Sequence, residues 1–110
     1  MGADLFIGPP DQQQPKNRYF RDPYNDWDLL WKFRLSWWED VIPMLDDEDR
    51  LSVAEAQNLL AMLRQRENVF ELRIAALLAE DQRYFRDRYS ALQEFLNRAI
   101  ELNTPIDTWL

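Results

Sequence analysis

The chain has 110 residues, enough for one domain, and carries 13 Lys+Arg against 20 Asp+Glu, a formal charge of -7. It holds no Cys and no His, and both glycines, Gly2 and Gly8, fall in the first ten residues. That excludes a thiol nucleophile, an imidazole base, an ordinary zinc site, a disulfide framework and the glycine-rich phosphate loops of P-loop and Rossmann proteins. The acidic balance argues against binding nucleic acid directly, which requires Lys and Arg to displace counterions, and favours a basic partner.

In chain order, residues 1–24 read as an irregular arm. Ala3 to Ile7 is a weak strand candidate, and Gly8-Pro9-Pro10 breaks any regular element. Residues 8–17 are expected to form an exposed loop, polyproline-like at Pro9-Pro10. A first helix is expected over 26–43, capped by Asn25 and ended by Pro43. Trp27, Leu30, Trp31, Trp38 and Val41 follow helical spacing, and Leu29, Phe33, Leu35 and Trp37 make it apolar nearly all round, as in a central helix.

The acidic run Asp46-Asp47-Glu48-Asp49 lacks the spaced ligands, central Gly and terminal Glu of a calcium loop. It reads as a connection into a second helix over 52–66, where Ser52 and Glu55 form a capping box and Ala56, Leu59, Leu60 and Leu63 share a face. Arg64 to Asn68 is the expected interruption. A long helical segment then covers 68–102, as one helix or as two with a bend near Glu80-Asp81. Its face carries Phe70, Ile74, Leu78, Phe85, Tyr89, Leu92, Leu96 and Ala99, and Asn103-Thr104-Pro105 stops it. The tail, Ile106 to Leu110, either packs back on the helices or pairs with Ala3–Ile7.

Arg18-Tyr19-Phe20-Arg21-Asp22-Pro23-Tyr24 reappears as Arg83-Tyr84-Phe85-Arg86-Asp87-Arg88-Tyr89, identical at six of seven positions. Pro23 places the first copy in a loop and the second lies in a helix, so the echo reads as coincidence. The sum is an all-α fold: one domain, a compact three- or four-helix bundle over 25–103, with the arm 1–24 and a tail 104–110.

Four of the five Trp lie between Tyr19 and Trp38, interleaved with Arg21, Lys32 and Arg34. Trp, Tyr and Arg dominate interface hot spots. Of the adjacent pair Trp37 and Trp38, about 100° apart on a helix, Trp38 is assigned to the core and Trp37 to the surface. Candidate partner-binding residues are therefore Asp46, Asp47, Glu48, Asp49, Tyr19, Tyr24 and Trp37. Glu67 with Glu71, Glu39-Asp40 and Glu80-Asp81 are carboxylate groupings of the general kind that holds Mg²⁺, and surface ion pairs explain them as well. No catalytic residue, cofactor or metal site is assigned.

The start Met1-Gly2-Ala3-Asp4-Leu5-Phe6-Ile7, Tyr19-Phe20-Arg21-Asp22-Pro23-Tyr24-Asn25, Leu35-Ser36-Trp37-Trp38, and Phe95-Leu96 through Pro105-Ile106 together resemble a group of small bacterial and phage proteins. The resemblance implies that these segments hold one fold together, with the ends near each other and the Trp segment central. It brings no activity to carry over.

The functional expectation is a small acidic interaction module of inhibitor, immunity or adaptor type, not an enzyme, binding a larger basic protein in the cytoplasm. The alternatives are a self-assembling homo-oligomer, using Leu72, Ala76 and Ala79 off the main face, and a Mg-dependent all-α nucleotide-processing enzyme. The longest later apolar run, Ile74 to Ala79, is too short to span a bilayer.

Overall fold

The computed structural model describes residues 1–8 and 18–110; of the expected loop at 8–17, all but Gly8 lies outside the described residues. The fold is mixed α/β, not an all-α bundle. Four antiparallel strands, β1 (Gly2–Ile7), β2 (Tyr19–Pro23), β3 (Arg50–Leu51) and β4 (Ile106–Trp109), form one sheet in the order β2-β1-β4-β3. The helices are α1 (Leu29–Lys32), α2 (Val53–Gln65), α3 (Glu67–Ile74) and α4 (Ala79–Glu101), with a π-helical turn at Trp37–Val41 and a 3-10 turn at Ile42–Met44.

The expected N-terminal arm thus supplies two of the four strands, and the tail supplies β4, one of the two inner strands. Each strand alternates. Ala3, Leu5 and Ile7 point inward while Asp4 and Phe6 point out; Ile106 and Thr108 point inward while Trp109 points out. Leu5 sits opposite both Phe20 and Thr108, so β1 is paired along both edges. Of the two courses open to the tail, pairing with Ala3–Ile7 is the one observed. The strand candidate Ala3–Ile7 lies within β1, whereas β2, β3 and β4, of five, two and four residues, are too short to reveal a period beside the stronger helical pattern. The echoed heptapeptide is strand β2 in one copy and part of α4 in the other.

The inner sheet face and the helices enclose one apolar core. It includes Leu5, Ile7 and Ile106 from the sheet and Leu59, Leu63, Phe70, Phe85, Leu92 and Leu96 from the helices. Phe33 stacks on Phe70 at 4.6 Å between ring centres and meets Tyr89 edge-on at 4.8 Å, geometries that favour the aromatic quadrupole. Ser52 accepts from the Glu55 amide at 3.1 Å, so α2 starts where its capping box places it. The 68–102 segment is split, but at residues 75–78, just before Glu80-Asp81. There the Gln82 side chain donates to the Leu77 carbonyl at 2.9 Å.

The expected helix over 26–43 is broken. α1 lasts one turn, Arg34 is left-handed (φ 57°), and the chain is extended at Ser36 before the π-helical turn. Phe33, Leu35 and Trp37 are all buried and Arg34 is exposed, an alternation with the period of extended chain. The stop is held by cations. Arg66 donates to the Phe33 and Arg34 carbonyls, and Arg73 to the Trp31 carbonyl at 3.1 Å, which also accepts from the Arg34 amide at 2.9 Å; cations at a helix C-terminus also suit its dipole. Ser36 then accepts from the Trp38 and Glu39 amides, while Asp40 accepts from the Ser36 amide at 2.8 Å. This is a second reciprocal cap.

Candidate functional site

Breaking that helix turns its tryptophans around. Trp37 is buried (1% exposed) and Trp38 is 53% exposed, the reverse of the assignment made from helical spacing. Trp37 is core because its indole N–H donates to Asp22 at 2.6 Å, deep behind β2. It is therefore removed from the candidate binding surface. Trp27 and Trp31, expected in the core, are 44% and 55% exposed.

These three exposed tryptophans line one open groove of about 910 Å³, together with Tyr24, Leu77 and Phe85. Trp27 stacks on Phe85 at 5.7 Å, and Trp38 leans on Tyr24 at 5.9 Å. The Tyr24 hydroxyl donates to the Leu110 carbonyl, anchoring that wall to the tail. Charged groups complete the lining: Asp26, Asp28 and Asp81 against Lys32 and Arg73. Both cations lie over rings, Lys32 Nζ 4.8 Å above Phe85 and the Arg73 guanidinium 5.4 Å above Trp31. The aromatic walls thus already attract cations from their own chain.

Beneath the groove lies Asp22, an inward-facing strand residue only 1% exposed. Its carboxylate accepts from the amides of Leu29 (2.8 Å) and Leu30 (3.2 Å) as well as from Trp37. Three donors converging on one acid fix the start of α1 and the position of the tryptophan segment. Asp28, at the head of α1, accepts from the Trp31 amide at 3.2 Å and faces the Asp22 carboxyl. Burial, then the hydrogen bond and charge of Asp22, push Asp28 up to about 7.

The other candidate residues lie elsewhere. Tyr19 is on the outer sheet face, donating to Asp4 at 2.6 Å and packed on Phe6 at 5.1 Å, with Trp109 also against Phe6. Asp46 to Asp49 form a tight turn into β3. Asp46 accepts from the Glu48 and Arg50 amides, which lowers its pKa, and Asp49 is left-handed (φ 57°). The Asp49 carbonyl accepts from the Thr108 amide and hydroxyl, joining the turn to β4. Of the seven candidate residues the groove takes only Tyr24. Asp49 reaches the far side of Trp38, in a smaller pocket of about 220 Å³. The signal that was passed over is Ser36 three residues before Glu39, the spacing of Ser52 and Glu55, since a cap there interrupts a continuous helix over 26–43.

Of the carboxylates weighed for Mg²⁺, Glu67 accepts from the Tyr89 hydroxyl at 2.7 Å, Glu71 pairs with Arg86 at 2.7 Å, and Asp40 accepts from the Ser36 amide at 2.8 Å. Among the described residues no group of three or more acidic side chains is placed to hold a metal ion, and no helix is long and apolar enough to cross a membrane. No protein-family model matches the chain, and comparison with curated proteins and with solved structures finds no match.

Proposed function

We propose that this protein is a small acidic interaction module that binds a larger basic protein through the tryptophan-lined groove. The observation that carries the reading is the exposure of Trp27, Trp31 and Trp38 around one concavity. Leaving three large aromatic surfaces in water is unfavourable, and a partner that covers them gains the burial. The charge of -7, with Asp26, Asp28 and Asp81 in the groove lining, favours Lys- and Arg-bearing surfaces as the complement. In this reading the acidic turn at Asp46–Asp49 contributes to long-range steering and not to the contact itself.

The test is capture from source-cell lysate with the wild type and with a Trp31→Ala/Trp38→Ala variant, followed by titration of the purified captured protein. A basic protein bound one to one by the wild type, weakened by salt and lost to the double variant, is the expected result. An acidic protein, or one held equally by both forms, overturns the proposal. A second reading, self-association, draws on Leu72 and Leu78, which are 77% and 67% exposed beside the α3–α4 connection. Light scattering at rising concentration decides it, since a constant monomer mass removes it.

A further inference from the structure

We infer that the groove takes an extended, proline-rich segment carrying Lys or Arg, with prolines on the open faces of Trp27, Trp31 and Trp38 and backbone carbonyls accepting from their indole N–H groups. The inference rests on the docking reading above and adds to it the composition and conformation of the segment that enters.

The three rings are set before any partner arrives. Trp27 rests on Phe85, Trp31 under the Arg73 guanidinium and Trp38 on Tyr24, and each keeps a large part of its surface in water. Of the four indole N–H groups in the tryptophan segment, that of Trp37 donates to Asp22, and the other three have no acceptor among the described residues. The groove therefore presents open donors on apolar walls.

Those donors select the backbone that fits. The walls come from the turn before α1, α1 itself, the π-helical turn and the α3–α4 region, and no strand residue lines them, so a partner cannot enter by adding a strand to an open sheet edge. A docked helix brings carbonyls already paired to its own amides and buries the indole donors without acceptors. A polyproline II chain has no internal hydrogen bonds, so its carbonyls are free for them. Its prolines have no amide N–H to leave unpaired against the rings.

Charge selects what accompanies the prolines. Asp26, Asp28 and Asp81 line the groove, and among the described residues none of them is in an ion pair. The two cations of the lining are turned to backbone acceptors: Lys32 donates to the Asp26 carbonyl at 3.4 Å and Arg73 to the Trp31 carbonyl at 3.1 Å. The lining thus complements Lys or Arg spaced among the prolines, whichever of the three acids each one meets.

The probe is an acetylated, amidated peptide of three Pro-Pro-Arg repeats. In polyproline II it spans about 28 Å, enough to cross a molecule 26 Å wide. Beside it stand an Ala-Ala-Arg peptide of equal charge, a Pro-Pro-citrulline peptide of equal shape, and cellohexaose as a neutral sugar. Binding to the ¹⁵N-labelled full chain is read from the five indole N–H signals, assigned by single Trp→Phe variants. Expected is movement of the Trp27, Trp31 and Trp38 signals by the proline–arginine peptide, with those of Trp37 and Trp109 unmoved. The alanine and citrulline peptides bind at least about tenfold more weakly. Trp38→Phe, which keeps an aromatic face and loses the N–H, weakens binding several-fold, while Trp109→Phe, on the outer sheet face, does not. An alanine or citrulline peptide that binds as tightly as the proline–arginine one, or Trp38→Phe binding like wild type, overturns the inference and leaves docking standing. Failure of both arginine peptides to move the groove signals overturns the docking reading together with the inference, and movement by cellohexaose alone assigns the groove to a sugar instead. The wild-type titrations decide between these outcomes even if a variant folds poorly.

Discussion

Asp22→Ala strands three donors at once. The amides of Leu29 and Leu30 and the indole N–H of Trp37 lose their acceptor where no water reaches it. Each buried unpaired donor costs about 1–3 kcal/mol, so a loss of about 3 kcal/mol or more is expected in urea unfolding. Asp28 acts in the opposite sense. Its folded pKa of about 7 lies above the ordinary value of 3.8, so between those pH values the folded protein holds a proton that the unfolded chain has released. The stability this gives is complete below about pH 4 and is lost as pH rises through about 7. Asp28→Asn keeps an acceptor for the Trp31 amide and a donor toward Asp22 without the charge. It is expected to match wild type near pH 4 and exceed it near pH 8. Because Asp28 is only part-buried, solvent screening holds the gain to the order of 1 kcal/mol. Urea midpoints of the two proteins across pH check this.

At the scale of the element, one boundary was read from its cap and others were not: the Asn25 expected to cap the first helix accepts from the Trp27 amide instead, and Asp28 caps α1. Ser52 with Glu55 places α2, and Ser36 with Asp40 and the Glu39 amide places the π-helical turn. Ser36→Ala is accordingly expected to cost about 1 kcal/mol, measured by thermal or urea unfolding. The strands were harder to read. β2 reads as a loop because of Pro23, yet Pro23 is tolerated there because β2 is an edge strand and its outward side needs no amide donor. Arg88 of α4 donates to the Arg21 carbonyl and covers that edge further. The same strand pair leaves no room beside Gly2: a Cβ there stands 2.7 Å from the Asp22 carbonyl oxygen. Gly2→Ala therefore displaces the backbone that carries Asp22. Lower stability together with changed near-ultraviolet dichroism of Trp37 is the expected outcome.

At the scale of the molecule, the site was legible in its ingredients and not in its arrangement. The tryptophan segment and the charge follow from residues that can be read in order, and pairing of the tail with Ala3–Ile7 was one of the two courses they left open. Which tryptophans face water depends on where one helix stops, and that stop is enforced from a distance by Arg66 and Arg73. No local pattern reports a donor more than thirty residues away. The groove and the core are correspondingly separable. Trp38→Ala is expected to change stability by less than about 1 kcal/mol, since half of the ring is already in water, while weakening partner binding by about 2 kcal/mol, some thirtyfold. Parallel unfolding and binding titrations check the split.

The inner rung of the sheet also sets how the protein bears load. β1 and β4 are antiparallel, with Asp4 opposite Trp109 and Ile7 opposite Ile106, so the start of one strand lies beside the end of the other. Their hydrogen bonds run perpendicular to both strands. Tension applied between residues 2 and 109 therefore pulls along those bonds and opens them one at a time, as a zipper parts, instead of shearing the whole ladder together. A domain tethered at these two points yields at low force despite its packed core, and its first rupture separates the sheet before any helix unwinds.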